Sequence, residues 1–354
     1  MRRVLLLLLA IALFTACRPA AAPAPTSEPP RISYLGRVDV SDPGGPRLSW
    51  GGTQVVVRFE GTALSLTLAE RGESRYEVAI DGAPAGEPFA PKEGTHTYPI
   101  AKGLPPGVHV VVLTRRTEPK VGVTQLRAFA FPDGGRLLAP PAEPARRIEL
   151  LGDSEMTGYG IECATPAASF SAETENATKA YPSLVARTLA ADAHVLAYSG
   201  KGVYRNDPPE GPPFATYYRQ AVPPAAWRAN VVWIALGGND YAPHGGPPDR
   251  EVFAAAYREL VDLARARSPD AQIVLAVPAG VSDAYPEGFA ARTNVRAVVS
   301  SIARERGDAK LHVAELPEAT EADRTGCDEH TGAAFQAKLA SIAAAKIAEI
   351  AGWR

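Results

Sequence analysis

The apolar residues of this chain change their period once, across a stretch dense in Gly and Pro, and one fold cannot serve both periods. Between residues 32 and 132 the apolar side chains come in short β-branched runs at 53–59, 63–68, 76–80 and 108–113. Most contain alternating stretches, and Gly, Pro or Asp bounds each run. Alternation places one set of side chains on one face of a strand. Asp81-Gly82, directly after Ile80, is a strong turn signal. No helical pattern of convincing length occurs here, so 32–132 is expected to form an all-β sandwich or jelly roll. Asp133-Gly134-Gly135 and the Pro-rich run 139–144 then punctuate a linker, 133–146. From 147 to 354 strand-like runs at 147–151, 194–198, 230–236, 272–277 and 311–314 alternate with helical ones at 180–190, 250–267, 292–306 and 333–350. That alternation predicts a parallel sheet with helices on both faces. The 354 residues suffice for two such domains.

Residues 1–31 belong to neither domain. Met1-Arg2-Arg3 is basic, and the apolar run 4–14 is too short to span a bilayer comfortably. Small residues then precede Cys17. Residues 1–17 read as a signal peptide and resemble the lipobox of bacterial lipoproteins, in which the cysteine is lipidated. Phe14 stands where leucine is usual, which keeps a plain secretory signal open. Residues 18–31 are rich in Pro and Ala and read as a tether. The chain is expected to be exported and to meet a membrane only through the lipid on Cys17.

Composition removes several classes of function. The net charge of −2, with signs mixed, gives no basic stripe for nucleic acid. No further apolar run is long enough for a transmembrane helix. No zinc-type Cys/His spacing, phosphate-binding Gly-rich loop or His-Glu-x-x-His occurs, so neither metal nor cofactor is expected. Of the three cysteines, Cys163 and Cys327 remain once Cys17 is lipidated or removed. In an oxidising compartment they form a disulfide or stay as two buried thiols.

In parallel α/β sheets, ligands sit beyond the carboxyl ends of the strands. The first strand is followed by Gly152-Asp153-Ser154, the second by Ser199-Gly200-Lys201-Gly202, and the third by Gly237-Gly238-Asn239-Asp240. Gly326-Cys327-Asp328-Glu329-His330 lies between the fifth and the last helix. Gly-Asp-Ser alone is weak, since roughly one chain in ten of this length contains it by chance. The four together supply a nucleophile, a close backbone N–H, an amide donor and a base, which are the parts needed for acyl transfer. Ser154 is the nucleophile in this reading, and it is expected at a strand end opening a helix.

The blocks resemble those of SGNH (GDSL-type) hydrolases, and most closely carbohydrate esterase family 2. The likeness rests on 152–160, on Ala180-Tyr181-Pro182 with 198–206, on 237–240 and on 326–330. Arg37, Trp50, Asp81-Gly82 and Arg116-Thr117-Glu118 look like that family's N-terminal β jelly roll, so the likeness covers nearly the whole chain after the tether. It implies a flavodoxin-like catalytic domain over 147–354. It also implies a Ser154 nucleophile, a His330 base, and an oxyanion hole from the Ser154 and Gly200 N–H groups and the Asn239 amide. The substrate it implies is acetylated polysaccharide such as xylan or mannan. Two positions depart from the common pattern: Cys327 replaces an Asp three before the histidine, and Thr331 replaces a Pro after it. In an extended segment Asp328 and His330 share a face, so Asp328 is the candidate third member of a triad. The alternative is a backbone carbonyl. Glu329 would point to solvent.

Tyr159, Tyr204, Tyr241 and Trp227 are candidates for a sugar platform or for core packing. Asp153 and Asp240 are expected to brace loops, and His109 and His194 to be structural; His244 is close enough in sequence to Asn239 to reach the site. Two rival activities stand beside the deacetylase: a lipase or thioesterase of the wider class, and a surface glycan-binding lipoprotein that has lost catalysis.

Overall fold

The computed structural model describes residues 29–221, 223 and 226–354. The segment read as a signal peptide, Cys17 with its lipidation, and nearly all of the tether lie outside the described residues.

The N-terminal domain is all β. Its strands are β1 (Ser33–Leu35), β2 (Val38–Asp39), β3 (Arg47–Leu48), β4 (Gln54–Gly61), β5 (Leu64–Gly72), β6 (Tyr76–Ile80), β7 (Ala83–Pro84), β8 (Gly94–Ala101), β9 (Gly107–Arg115), β10 (Gly122–Ala130) and β11 (Arg136–Leu137). They form two antiparallel sheets, β1-β4-β9-β6-β7 with β11 beside β4, and β2-β3-β10-β5-β8. Alternation sets the inner faces. Leu64, Leu66 and Leu68 of β5 are buried against Val57, Val111 and Leu113 from the other sheet. The stretch read as a linker is not free chain. Its β11 pairs with Phe59 and Glu60 of β4, and its last residue opens β12.

The second domain continues with β12 (Arg146–Gly152), α1 (Ser154–Thr157), α2 (Tyr181–Leu189), β13 (Ala191–Ala197), α3 (Phe214–Gln220), β14 (Val231–Ala235), α4 (Arg250–Arg267), β15 (Gln272–Val277), α5 (Ala291–Arg306), β16 (Leu311–Glu315) and α6 (Ala333–Ala351). The sheet is parallel throughout, in the order β13-β12-β14-β15-β16. Counted within this domain the order is 2-1-3-4-5, the flavodoxin-like winding. Each central strand feeds two cores. Leu151, Ile234 and Leu275 pack with α4 and α5, while Leu150, Trp233 and Val274 pack with α2 and α6. This explains why these strands read as continuous apolar runs. The strand expected at 194–198 starts three residues earlier. Its added Asp192 accepts from the Gly36 N–H at 2.8 Å and from Trp227 Nε1 at 2.6 Å. The helix α3, in a Pro-rich stretch, carries no periodicity that sequence reasoning found.

The two domains meet through buried polar contacts. Arg37, after β1, is paired with Glu149 of β12 at 2.5 Å, both nearly inaccessible at 2 % and 1 %. The second Glu149 oxygen accepts from the Tyr218 hydroxyl at 2.7 Å, and Arg37 also donates to the Ala221 carbonyl at 2.7 Å. A buried ion pair stripped of one member leaves a bare charge in a dry site. Arg37→Ala is therefore expected to lower the unfolding free energy by about 3–5 kcal/mol, read as a drop in urea midpoint; an unchanged midpoint would refute it.

Candidate active site

The nucleophile candidate is carried by the middle of the sheet. β12 ends at Gly152, Asp153 caps α1, and Ser154 is its first residue. A Cβ on Gly152 would come 2.4 Å from the Met156 sulfur, so a larger residue here would force the buried Met156 side chain to move. α1 is a single turn, closed by Gly158 in the left-handed region. The site therefore gains individual N–H groups and little of the helix dipole that a long helix would supply.

Ser154 Oγ lies 2.9 Å from His330 Nε2. His330 Nδ1 lies 3.2 Å from the carbonyl oxygens of Cys327 and of Asp328. Carbonyls only accept, so Nδ1 carries the proton and Nε2 is left as the acceptor for the serine. The Asp328 side chain is not on the imidazole. Its Oδ2 accepts from the Tyr159 hydroxyl at 2.9 Å and from the Phe170 N–H at 3.2 Å. The expectation of a shared face required extended backbone. Cys327–Glu329 is instead a tight turn with Asp328 at φ 48° and Glu329 at φ 59°. Of the two alternatives, the histidine is held by carbonyls, and Asp328 contributes its main chain. Glu329, expected in solvent, is exposed but lines the cavity.

The residues beside Ser154 and His330 tie the two loops together. Thr331 Oγ1 donates to the Glu155 carboxylate at 3.2 Å. Gln336 Nε2 donates to Thr331 Oγ1 at 2.8 Å and to the Glu155 carbonyl at 3.1 Å. Thr331 thus has a use that proline could not serve. Cys163 and Cys327 are joined in a disulfide with Cα atoms 5.2 Å apart, pinning the His330 loop to the segment after α1. Burial lowers the His330 pKa, opposed by its two carbonyl contacts.

The remaining candidates divide. Gly200 has φ +81°, and a Cβ there would stand 2.4 Å from the Asp207 carbonyl oxygen. The need for glycine therefore comes from the loop's own closure. Asn239 follows β14, and its Nδ2 donates to the Lys201 carbonyl at 3.0 Å and to Asp153 Oδ2 at 3.2 Å. Asp153 is pushed up to about 7 by burial and by the Glu155 charge. Asp240 is pushed up to about 6 by burial, and it accepts from the Val203, Tyr204 and Arg205 N–H groups at 2.7–3.0 Å. Both acids brace loops. Ser154, Asn239 and His330 share a cavity of about 440 Å³ whose wall includes Tyr241, Val281, Tyr285 and Arg324.

Of the four aromatic candidates, Tyr241 lines this cavity. Tyr159 stacks on Phe170 at 4.2 Å and lies 4.3 Å from the His330 ring, forming a wall for the imidazole. Tyr204 is 38 % exposed and is not on the cavity wall. Trp227 is no platform: it is buried at the domain boundary, stacked on His194 at 3.5 Å. Burial drives His194 down to about 2, with Arg37 and Arg147 adding to the shift. His109 pairs with Asp81 at 2.7 Å, and His244 with Asp207 at 3.1 Å. Sequence reasoning missed Tyr285, Arg324 and Phe170. They come from long loops with no periodic signal. Among the described residues no cluster of three or more His, Cys, Asp or Glu could hold a metal ion.

Two outcomes follow. Asp328→Asn, which tolerates the left-handed backbone, is expected to change kcat by less than about threefold, against well over tenfold for a carboxylate that sets the tautomer. His330 must be neutral to accept a proton. Because its pKa is lowered, the acid limb of kcat/KM is expected below the ordinary histidine value of about 6.5; a midpoint above that value would contradict the burial argument.

Two family models match the chain. One, described as the carbohydrate esterase 2 N-terminal domain, covers residues 34–141. The other, the GDSL-like lipase/acylhydrolase family, covers residues 150–337. The cellulase/esterase CelE of Acetivibrio thermocellus is 34% identical over 338 residues, 93% of this chain. The match spans only 40% of the length of that relative. An acetylxylan esterase / glucomannan deacetylase of Cellvibrio japonicus is 25% identical over 260 residues, 70% of this chain and 71% of its own. Among solved structures, a family two carbohydrate esterase from Clostridium thermocellum in complex with cellohexaose superposes with a TM-score of 0.83 at 33% identity, covering 92% of this chain and 100% of the other.

Proposed function

The chain belongs to carbohydrate esterase family 2, and from that membership we propose that it removes O-acetyl groups from a polysaccharide such as acetylated xylan or mannan, with Ser154 as nucleophile. The observation that carries the chemistry is the 2.9 Å contact between Ser154 Oγ and His330 Nε2, with the opposite ring nitrogen held by carbonyls. The polysaccharide comes from the relatives: one is named for xylan and glucomannan, another was solved with cellohexaose.

Ser154 Oγ attacks the acetyl carbon while His330 Nε2 takes its proton. The carbonyl electron pair moves onto oxygen. The Ser154 and Gly200 N–H groups and Asn239 Nδ2 receive that oxyanion. Asn239 gives up its longer contact, the one to Asp153, to do so. On collapse the C–O bond to the sugar breaks, and the sugar oxygen takes the proton from His330. Water then attacks the acetyl-serine with His330 again as base, releasing acetate and free serine. Each oxyanion donor typically contributes about 2–4 kcal/mol of transition-state stabilisation. With carbonyls behind the ring, the imidazolium lacks a carboxylate partner, and the oxyanion donors carry more of the rate.

The wall of the cavity includes Asp153, Glu155, Asp207, Asp328 and Glu329, of which Asp328 and Glu329 are exposed. A long acyl chain would strip water from these two exposed acids at a cost, which disfavours the lipase reading. The intact Ser–His contact disfavours a binding protein without catalysis. For the whole chain we propose a signal peptide at 1–17 lipidated on Cys17, a tether at 18–31, a β domain at 32–132, a connection at 133–146 and the catalytic domain at 147–354. Together they place an exported enzyme on a bacterial envelope.

Acetate release from acetylated xylan and from a short aryl acetate is expected to fall by more than about 1,000-fold in Ser154→Ala. Equal rates would end the nucleophile assignment, and faster turnover of long-chain esters than of acetylated glycan would turn the reading toward a lipase. For the anchor, Cys17→Ser is expected to move the protein from the membrane to the soluble fraction; an unchanged distribution counts against lipidation.

A further inference from the structure

Glu118 lies on the β-domain loop between β9 and β10, yet its carboxylate is used in the other domain. Its Oε2 accepts from the Ser199 N–H at 2.7 Å, a contact between residues 81 apart in sequence. Ser199 is the residue before Gly200. Its hydroxyl lies 3.3 Å from that of Thr157, which donates to the Ser154 carbonyl at 3.2 Å. The loop that Glu118 grips therefore abuts the turn carrying the nucleophile.

Glu118 is wholly buried. Its own N–H donates to Glu175 Oε2 at 3.1 Å, so the catalytic domain in turn fixes the main chain that presents it. The other oxygen of each carboxyl, Oε1 in both, is buried without a hydrogen-bond partner among the described residues. Burial pushes both groups up, and the Glu118 charge pushes Glu175 further. Two such carboxyls in a dry contact are costly. As packing they are a poor choice, since an apolar side chain would fill the same space more cheaply. What an apolar side chain cannot do is accept from the Ser199 amide.

We propose that Glu118 is a positioning residue for the oxyanion-binding loop: it reaches across the domain boundary and holds the Ser199–Gly200 backbone against the Ser154 turn. The β domain is then part of the catalytic unit whether or not it touches sugar. Displacing an oxyanion donor weakens a contact made in the transition state, so kcat suffers and KM does not.

The test measures kcat, KM and Tm on an aryl acetate for the full chain and four variants. Glu118→Ala is expected to lower kcat by about 10- to 100-fold with KM within about threefold. Glu118→Gln keeps a carbonyl oxygen for the Ser199 N–H, and is expected to hold kcat within about fivefold of wild type. Glu77→Ala serves as the control. It removes two other cross-boundary hydrogen bonds, from Asn176 Nδ2 and Thr178 Oγ1, both 2.9 Å, and is expected to lower Tm while sparing kcat. Should E118A fail to fold, Glu118→Asp decides. It keeps the charge and shortens the reach by one methylene, so its kcat falls below that of E118Q if the reach matters. The proposal is overturned if E118A keeps kcat within twofold, if E118D equals or exceeds E118Q, or if E77A loses as much kcat as E118A. The inference rests on Ser154 being the nucleophile, and Ser154→Ala run in parallel separates the two. An active S154A fells that assignment, whereas an inactive S154A beside an unaffected E118A fells this one alone.

Discussion

A hydrogen bond of 2.9 Å joins two residues 176 apart in sequence, Ser154 and His330, and the catalytic domain is organised around keeping it closed. Neither residue sits on a long rigid element. Ser154 opens a one-turn helix, and His330 lies on the loop before α6. The rigidity is supplied laterally. Glu155, Thr331 and Gln336 bond the residue after the serine to the residue after the histidine. The disulfide ties Cys327, three before the histidine, to the segment that follows α1. Tyr159 and Phe170 stack into a wall against the imidazole. An error of about 1 Å in such a contact can cost about a hundredfold in rate. The number of restraints is understandable on that scale.

The same geometry accounts for the missing carboxylate. With Cys327 in the place where related blocks carry aspartate, the position is spent on a disulfide. The turn that the disulfide holds brings two carbonyls to Nδ1. Carbonyl oxygens fix the tautomer as well as a carboxylate does, because they too can only accept. They do not offer a full charge in direct contact with the imidazolium, and burial lowers the His330 pKa against the opposing pull of the two carbonyl contacts and of the Asp328 charge. As the proposed base, His330 suits a site that must work with its histidine neutral. In the proposed mechanism the weaker support for the imidazolium shifts the demand for stabilisation to the oxyanion side.

The strands were legible because a central parallel strand has to feed two cores, and short unbroken runs of Val, Ile, Leu and Trp alternating with helical spacing fit that demand. The blocks at their carboxyl ends were legible because chain order and sheet order place Ser154, Gly200 and Asn239 on one edge. What escaped were contacts between loops. Asp328 was read on the assumption of extended backbone, and two consecutive non-glycine residues with positive φ leave no mark in a sequence that alternation could reveal. Trp227 looked like a platform since an aromatic residue in a loop is equally compatible with a cleft and with a boundary. Only the Asp192 side chain and the His194 ring, on another strand, decide for the boundary. Nor does the sequence show why residue 200 has to be glycine: the constraint is the Asp207 carbonyl, seven residues on.

The domain boundary is where sequence and structure part most, and it bears on how the β domain is understood. A flexible attachment would show a modest, wet contact and permit relative motion. Here an Arg37–Glu149 pair is sealed from water, and the Arg116 guanidinium donates to the Glu173 and Glu175 carbonyls of the α1–α2 connection. Sealed charges tolerate little displacement, since any opening that admits no water leaves them unpaired. The loops at the strand ends thus make contacts with both domains. That is the condition under which a buried carboxylate from one domain can set the position of a backbone amide in the other. It also gives such a carboxylate a use that offsets its cost.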